Sequence, residues 1–506
     1  MSVVQSIDHL ALLPAYVAAG TAVLVLLTDL ALARRGATMA VAGAGAAATV
    51  LVALLAGRET RSTFCVADGC SYLAGGRSAL VAVVFGLLTL GVLALSAPAL
   101  RAGPTPTGEY CFLLACSMTG GVVLGAAGDL ITLIVALETL TLPLYVLVGL
   151  RRGSLASAEA AVTFFVVSVV ATSVTLLGAA LLYATTGTLH LDRLGPALTG
   201  DLPAPETASV AVPLHQPLTS AAVVLLVLGL AFKVAAVPLH AWAPTTYDGA
   251  PVPVAAYLST ASKFGGVVAL LAVVQGPLPA TRTGPVLAVL AVVTMTVGNL
   301  VALRQQRMVR LLAWSSVAQA GYILAPLGVL ALTAGRTGAV RDTAVAAALA
   351  YAVLFVVLEL AAFAAVVALR PVGADGGTIA DHRGAGRRHP LVGAALVLAL
   401  VGLAGLPPGL AGLFAKVVVV RALLDGGAGW LALVVAVNAV IGLAYYLRLA
   451  ATLYTPALTP TPEPAPAPAG RGFSLPWPVA AAVTLTTLAA LVLGFAPQLL
   501  LDATRW

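Results

Sequence analysis

Lysine is almost absent. Of the 26 basic side chains in 506 residues, only Lys233, Lys263 and Lys416 are lysines. Charge of either sign is scarce: 9% of residues are charged and 60% are hydrophobic. That balance excludes a soluble globular domain, which must keep a charged surface. Cysteine is scarce too, at four residues, and no CxxC pair, no His/Cys ligand cluster and no dinucleotide-type glycine fingerprint occurs. The sequence therefore assigns this chain no metal site, no bound cofactor and no redox centre. Any energy source must lie in partner subunits or in an ion gradient. The net charge of +7 does not point to nucleic acid, because the arginines sit in short loops between apolar runs, where positive-inside bias accounts for them.

What the chain has is apolar length. Runs of about 20 residues, each able to cross a bilayer, recur from end to end. They predict an all-α polytopic membrane protein of about fourteen spans, near 10–33, 38–57, 77–98, 109–127, 130–150, 158–183, 217–245, 252–273, 285–303, 311–332, 344–369, 391–424, 430–452 and 476–500. The first run has no basic residue before it and exceeds a signal-peptide core, so it reads as a retained span. Arginine placement orients the chain. With both termini outside, the inner loops carry Arg34, Arg35, Arg101, Arg151, Arg152, Arg304, Arg307, Arg310, Arg370, Arg383, Arg387 and Arg388. The outer loops carry the sparser set Arg58, Arg61, Arg193, Arg336 and Arg341.

Two spans are interrupted by proline at membrane depth, one at Pro238 and one at Pro407 and Pro408. Proline breaks the helical hydrogen-bond ladder, and unwound backbone survives in a membrane only inside protein or beside a wet cavity. The breaks lie five spans apart, an odd number, so five-helix repeats would have opposite topology. The expected organisation is an N-terminal three-helix segment at 1–108, a first repeat at 109–273, a second, inverted repeat at 285–452, a proline-rich inner loop at 453–475 and a last helix at 476–506.

The three lysines all fall inside apolar segments. A charge at mid-membrane costs roughly 2.5–3.5 kcal/mol on the lenient insertion scale and usually marks an ion or proton path. Glu138 lies deep in the fifth span. Desolvation disfavours the charged form of both a carboxylate and an amine, while proximity favours it. Glu138 beside Lys233 would thus form either a switchable proton site or a static pair that fixes helix register. Lys263 and Lys416 have no acidic residue in their own segments. They suit proton relay, or they snorkel to an interface. His240 follows the first break and could join a water chain or be a satisfied structural histidine. Glu359 is a second mid-span carboxylate, whose plain reading is a bond to a polar neighbour. Tyr445, Tyr446 and Arg448 near the end of a span read as interfacial anchors. Cys65 and Cys70 fall in an outer loop where a disulfide is permitted, and Cys111 and Cys116 read as packing residues.

Six stretches together carry a family resemblance: DLITLIVALETLTLPLY at 129–145, FKVAAVPLHAWAP at 232–244, YDGAPVPVAAYLSTASK at 247–263, GNLVALR at 298–304, RLLAWSSVAQAGY at 310–322 and LAGLPPGLAGLFAK at 403–416. The chain resembles the antiporter-like membrane subunits of respiratory complex I over nearly its whole length. The STASK ending and a lysine at 416 resemble the subunit N branch. The resemblance implies that Glu138 and Lys233 match the family's Glu–Lys pair, that Lys263 matches its central relay lysine and that Lys416 matches its exit-side lysine. It also implies a hydrated polar axis carrying protons from the cytoplasm to the outside of a bacterial plasma membrane. The partners implied are the other membrane subunits and the lipid bilayer, with quinone, NADH, FMN and Fe–S clusters in other subunits. Two departures stand out. Thr163 replaces a family lysine, and a threonine hydroxyl can hydrogen-bond but hold no charge; Glu359 sits where a small or neutral residue is expected. The competing readings are a cation/proton antiporter independent of redox chemistry and a structural subunit that no longer pumps.

Overall fold

The computed structural model describes residues 7–66, 69–151, 153–199, 216–456 and 475–504. The proline-rich loop expected at 453–475 and the side chain of Arg152 fall largely or wholly outside these residues. Leucine-, alanine- and valine-rich segments form the helices α1 (Leu13–Leu32), α2 (Arg35–Ala56), α3 (Gly76–Ala102), α4 (Thr107–Leu124), α5 (Leu130–Val148), α6 (Leu155–Thr186) and the short α7 (Leu191–Thr199). Next come α8 (Gln216–Lys233), α9 (Trp242–Gly249), α10 (Val252–Tyr257), α11 (Lys263–Val274), α12 (Ala280–Ala302), α13 (Met308–Leu324) and α14 (Gly338–Leu369). The chain continues with α15 (Ala385–Arg388), α16 (Pro390–Ala404), α17 (Leu410–Asp425), α18 (Gly429–Tyr454), α19 (Trp477–Phe495) and α20 (Gln498–Ala503).

Among the described residues, twelve helices are long and apolar enough to cross a bilayer, with a thirteenth if α16 is taken together with the segment Ala380–Arg388 that meets it at 118°. The two spans expected at 217–245 and 391–424 are not single helices. Each is split at its prolines, into α8 and α9 and into α16 and α17. Both breaks contain a cis X–Pro bond, Val237–Pro238 and Pro407–Pro408.

The chain is not wholly helical. Between α2 and α3 lies an antiparallel hairpin, β1 (Arg61–Val66) and β2 (Gly69–Ala74), in which Cys65 stands opposite Cys70 and is bridged to it. The hairpin is pinned to the α4–α5 turn, where Leu73 N–H donates to Ala126 O and Gly128 N–H to Ser71 O.

Small residues set the close helix approaches. At Gly120 a Cβ would come within 2.3 Å of the Leu140 backbone nitrogen, so α4 lies directly on α5. Asp129 caps α5 by accepting from Thr132 N–H at 2.7 Å. Burial locates the core. The most hydrophobic stretch of α1 is 22% buried and that of α6 33%, against 94% for Val252–Val274 and for Met308–Ala331. These two and α14 form the inner wall. A charged clamp ties α9 and the start of α13 to the loop that follows α14. Arg307 grips both oxygens of Asp248 at 2.8 and 2.7 Å and reaches Asp375 at 3.0 Å, while Arg370 holds Asp375 and Asp381.

Candidate functional site

The first cluster forms where α8 unwinds. Lys233 is the last residue of α8, and its ammonium donates to Glu138 Oε1 at 2.8 Å, Thr141 Oγ1 at 3.1 Å and Ser168 Oγ at 3.0 Å. All three of its N–H donors are used. Glu138 Oε1 also accepts from Thr172 at 2.7 Å, and Tyr145 donates to Ser168 at 2.6 Å. The lysine is 3% exposed and the glutamate 22%, so the pair has one dry and one accessible member. The backbone freed by the break is satisfied locally: Phe232 O accepts from Ala235 N–H and Trp242 Nε1, and Val237 N–H donates to Thr294. Helix α6 serves this cluster through Ser168 and Thr172. Thr163, half-buried one turn earlier, is not among the partners of Glu138 or Lys233.

The break leads straight to the second lysine. A Cβ at Gly266 would stand 2.8 Å from the carbonyl carbon of Lys233, so the unwound segment rests on α11 one turn beyond Lys263. A π-helical turn, Leu258–Ser262, immediately precedes Lys263; such turns carry an extra residue and recur at functional sites. Lys263 is buried and donates to Ser316 Oγ at 2.7 Å. Nearby on α14, Glu359 is 0% exposed and accepts from Ser259 at 2.7 Å, which is the polar-neighbour bond that its sequence suggests. His240 is half-buried, touches Pro238 O at 3.2 Å and tilts against Trp314.

The third cluster uses the second break. Helix α16 ends at Ala404, and its last carbonyls lack intrahelical partners. Lys416 supplies them, donating to Leu403 O at 3.1 Å and to Ala404 O. Its ammonium also lies 5.2 Å from the centre of the Tyr322 ring. A helix C-terminus carries partial negative charge, so a cation is favoured there. Lys416 is 9% exposed; neither it nor Lys263 snorkels to an interface.

Neutral polar side chains join the second and third clusters. Ser315, next to Ser316, lies 2.5 Å from the Tyr446 hydroxyl. Gln319 donates to Tyr446 and to Leu403 O, both at 3.0 Å, and accepts from Tyr351 at 2.6 Å. Tyr322 accepts from Asn299, which also accepts from Tyr445 and donates to Asn438. Tyr445 and Tyr446 are therefore not interfacial anchors. They are buried and hydrogen-bonded, because the face of α18 that bears them packs inward on α12 and α16. Arg448 caps the end of α12, donating to Leu303 O and Gln305 O. Sequence reasoning missed Ser168, Thr172, Ser316, Gln319, Tyr351, Asn299 and Asn438. The available signal was polar residues four apart inside apolar runs, as in Ser168/Thr172 and Ser315/Gln319.

Residues 127–442 match the model of the family described as NADH:quinone oxidoreductase/Mrp antiporter, TM. NADH-quinone oxidoreductase subunit N of Salinispora tropica is 70% identical, with 99% of each chain covered. The chain belongs to the subunit N family of NADH-quinone oxidoreductase. A chain in the structure of respiratory complex I from Thermus thermophilus matches at a TM-score of 0.76 with 29% identity, covering 97% of this chain and 99% of that one. A chain of the Mrp complex from a Dietzia species matches at a TM-score of 0.78 with 24% identity, covering 98% and 96%; that likeness concerns the fold alone. The three lysines and Glu138 described above lie within the stretches of this sequence that carry the resemblance.

Proposed function

We propose that this chain moves protons through the membrane arm of an NADH:quinone oxidoreductase, along Glu138, Lys233, Lys263 and Lys416. The observation that carries the reading is the burial of three lysines with polar side chains packed between them. Lys233 rests on the helix of Lys263; Lys263 bonds Ser316, and the adjacent residue Ser315 begins a run through Tyr446 and Gln319 to the carbonyl that holds Lys416. Isolated buried ammonium groups are costly, and three in one file are hard to account for by packing. Changes that begin at a distant quinone site would reach this chain through neighbouring membrane subunits and alter the Glu138–Lys233 contact. A proton would then pass by Lys263 and Lys416 to the outside. The Glu138 side, partly exposed, is the loading side in this scheme. His240 and Tyr445 flank the path.

The same reading takes 109–273 and 285–452 as inverted five-helix repeats within fourteen spans. The split helices in each half and the matching 32-residue lengths of α6 and α14 support it. Both termini then face the outside of a bacterial plasma membrane. NADH, FMN, Fe–S clusters and quinone belong to other subunits of the complex.

The test uses native membranes carrying Lys263→Ala, following NADH-driven quinone reduction and outer-side acidification together. Proton yield and coupled electron flow are expected to fall together. An unchanged yield overturns the proposal, leaving a redox-independent antiporter or a silent structural subunit. Cation-driven proton exchange in proteoliposomes then separates those two.

A further inference from the structure

Lys263 is the least satisfied of the three buried lysines. Lys233 uses all three donors, and Lys416 has two carbonyls and a ring face. Among the described residues, Lys263 donates to Ser316 alone, although an ammonium has three N–H groups to place. Other unmatched polar atoms lie around it. Among the described residues, Glu359 Oε2 and the Tyr247 hydroxyl are both buried without a protein hydrogen-bond partner. Tyr247 lies within interaction range of Ser316, Ser259 and Glu359, and Glu359 and Lys263 act on each other electrostatically. Glu359 also acts on Tyr446, which lies between Ser315 and Gln319 on the way toward Lys416. A buried polar atom without a protein partner needs water, and a water held inside a protein needs two to four polar partners. Lys263 N–H, Glu359 Oε2 and the Tyr247 hydroxyl are three such partners.

We infer that Glu359 is a proton-carrying residue, which exchanges a proton with Lys263 through water seated between the lysine, Glu359 Oε2 and Tyr247. This inference rests on the proton-transport reading above and adds a carrier to it. In the transfer, an N–H bond of the Lys263 ammonium breaks and passes its proton to the water, and the water gives one of its own to Glu359 Oε2. Charge is conserved: ammonium and carboxylate become amine and carboxylic acid, two neutral groups that suit a dry interior. Ser259, bonded to Oε1, fixes the carboxyl so that Oε2 is the oxygen left for exchange. The reverse transfer reloads Lys263. Glu359 thereby serves Lys263 as Glu138 serves Lys233, but through water and from a different helix.

The experiment uses the intact complex in native membranes, with Glu359→Gln, Tyr247→Phe and Lys263→Ala compared side by side. NADH-driven proton yield is measured together with redox-induced infrared difference spectra in the carboxylic C=O region. Glu359→Gln, nearly isosteric and still able to meet Ser259, is expected to reduce the proton yield to the level of Lys263→Ala and to remove a deuterium-sensitive carboxylic band. A wild-type yield in an assembled Glu359→Gln complex, or an unchanged band, overturns the inference. If Lys263→Ala lowers the yield and Glu359→Gln does not, the added carrier is wrong while the relay stands. If Lys263→Ala also leaves the yield intact, the relay itself fails. Should Glu359→Gln not assemble, Tyr247→Phe decides, since its hydroxyl has no protein bond to lose: a lowered yield supports the water site, and a wild-type yield overturns it.

Discussion

The two broken helices each hold a lysine, but by different means. At the first break Lys233 meets a carboxylate on a neighbouring helix, supported by two hydroxyls. At the second, Lys416 has no carboxylate. It is held by the C-terminal carbonyls of α16 and the face of Tyr322. The contrast shows two ways to keep a cation in a membrane interior. One uses an opposite charge, which can itself gain or lose a proton. The other uses fixed backbone dipoles, which cannot. A site of the first kind can be switched by moving its counter-ion. A site of the second kind changes only when the lysine itself releases its proton or the helix end moves.

The largest expected effect comes from removing the counter-ion. Glu138→Gln leaves Lys233 buried and uncompensated, and breaking such a pair costs about 3–5 kcal/mol. Because Glu138 is 22% exposed, the lower end is expected, with coupled proton yield lost. Heating the complex and following intact assembly on native gels measures the first effect, and vesicle acidification the second. Lys416→Met is expected to cost less, about 1–3 kcal/mol, since it leaves the Ala404 carbonyl unpaired rather than a charge, while Leu403 O keeps its bond from Gln319. It should still abolish proton yield. If it destabilises the complex as much as Glu138→Gln, the distinction between charge and dipole compensation collapses. The smallest effect belongs to the clamp that joins α9 to the loop after α14. Arg307→Ala is expected to lower stability by about 1 kcal/mol, because these ion pairs are partly exposed. Burial pushes the Asp375 carboxyl up, but Arg307, Arg151 and Arg370 outweigh it and hold it below its ordinary value. A carboxyl lowered in the folded state stabilises above its unfolded value, about 3.9, and loses that contribution as pH falls through the lowered one. The difference between wild type and Arg307→Ala should therefore vanish in acid thermal scans.

What the sequence disclosed followed from cost. Lysine and glutamate are expensive in hydrocarbon, so Lys233, Lys263, Lys416, Glu138 and Glu359 stood out against apolar runs. Prolines 238, 407 and 408 marked the interruptions for a similar reason. Hydroxyl residues are cheap in a helix because they bond back to the preceding turn, as Thr141 does to Leu137 O and Ser316 to Ala313 O; Gln319 and Asn299 carry no charge to mark them, so none of these was legible as a network member. Tyr445 and Tyr446 were misread because position along a span says nothing about which face turns inward. The hairpin at Arg61–Ala74 is too short for a clear alternation, and the Cys65–Cys70 bridge could be allowed but not assigned from spacing. Thr163 showed only that a charge was missing. That Ser168 and Thr172 serve Lys233 and Glu138 instead depends on how α6 packs against α5 and α8.

The π-helical turn before Lys263 has a consequence of its own. An extra residue in one turn offsets the angular phase of everything that follows, so the direction in which Lys263 points is set by spacing as well as by identity. Rewinding Leu258–Ser262 as an ordinary α turn, with no residue removed, would swing the lysine by about 100° about the axis, away from Ser316. The side chain would be unchanged in charge, length and depth, yet aimed at the wrong neighbour. In this protein the orientation of one ammonium group is therefore written in the width of the turn between Tyr257 and Lys263.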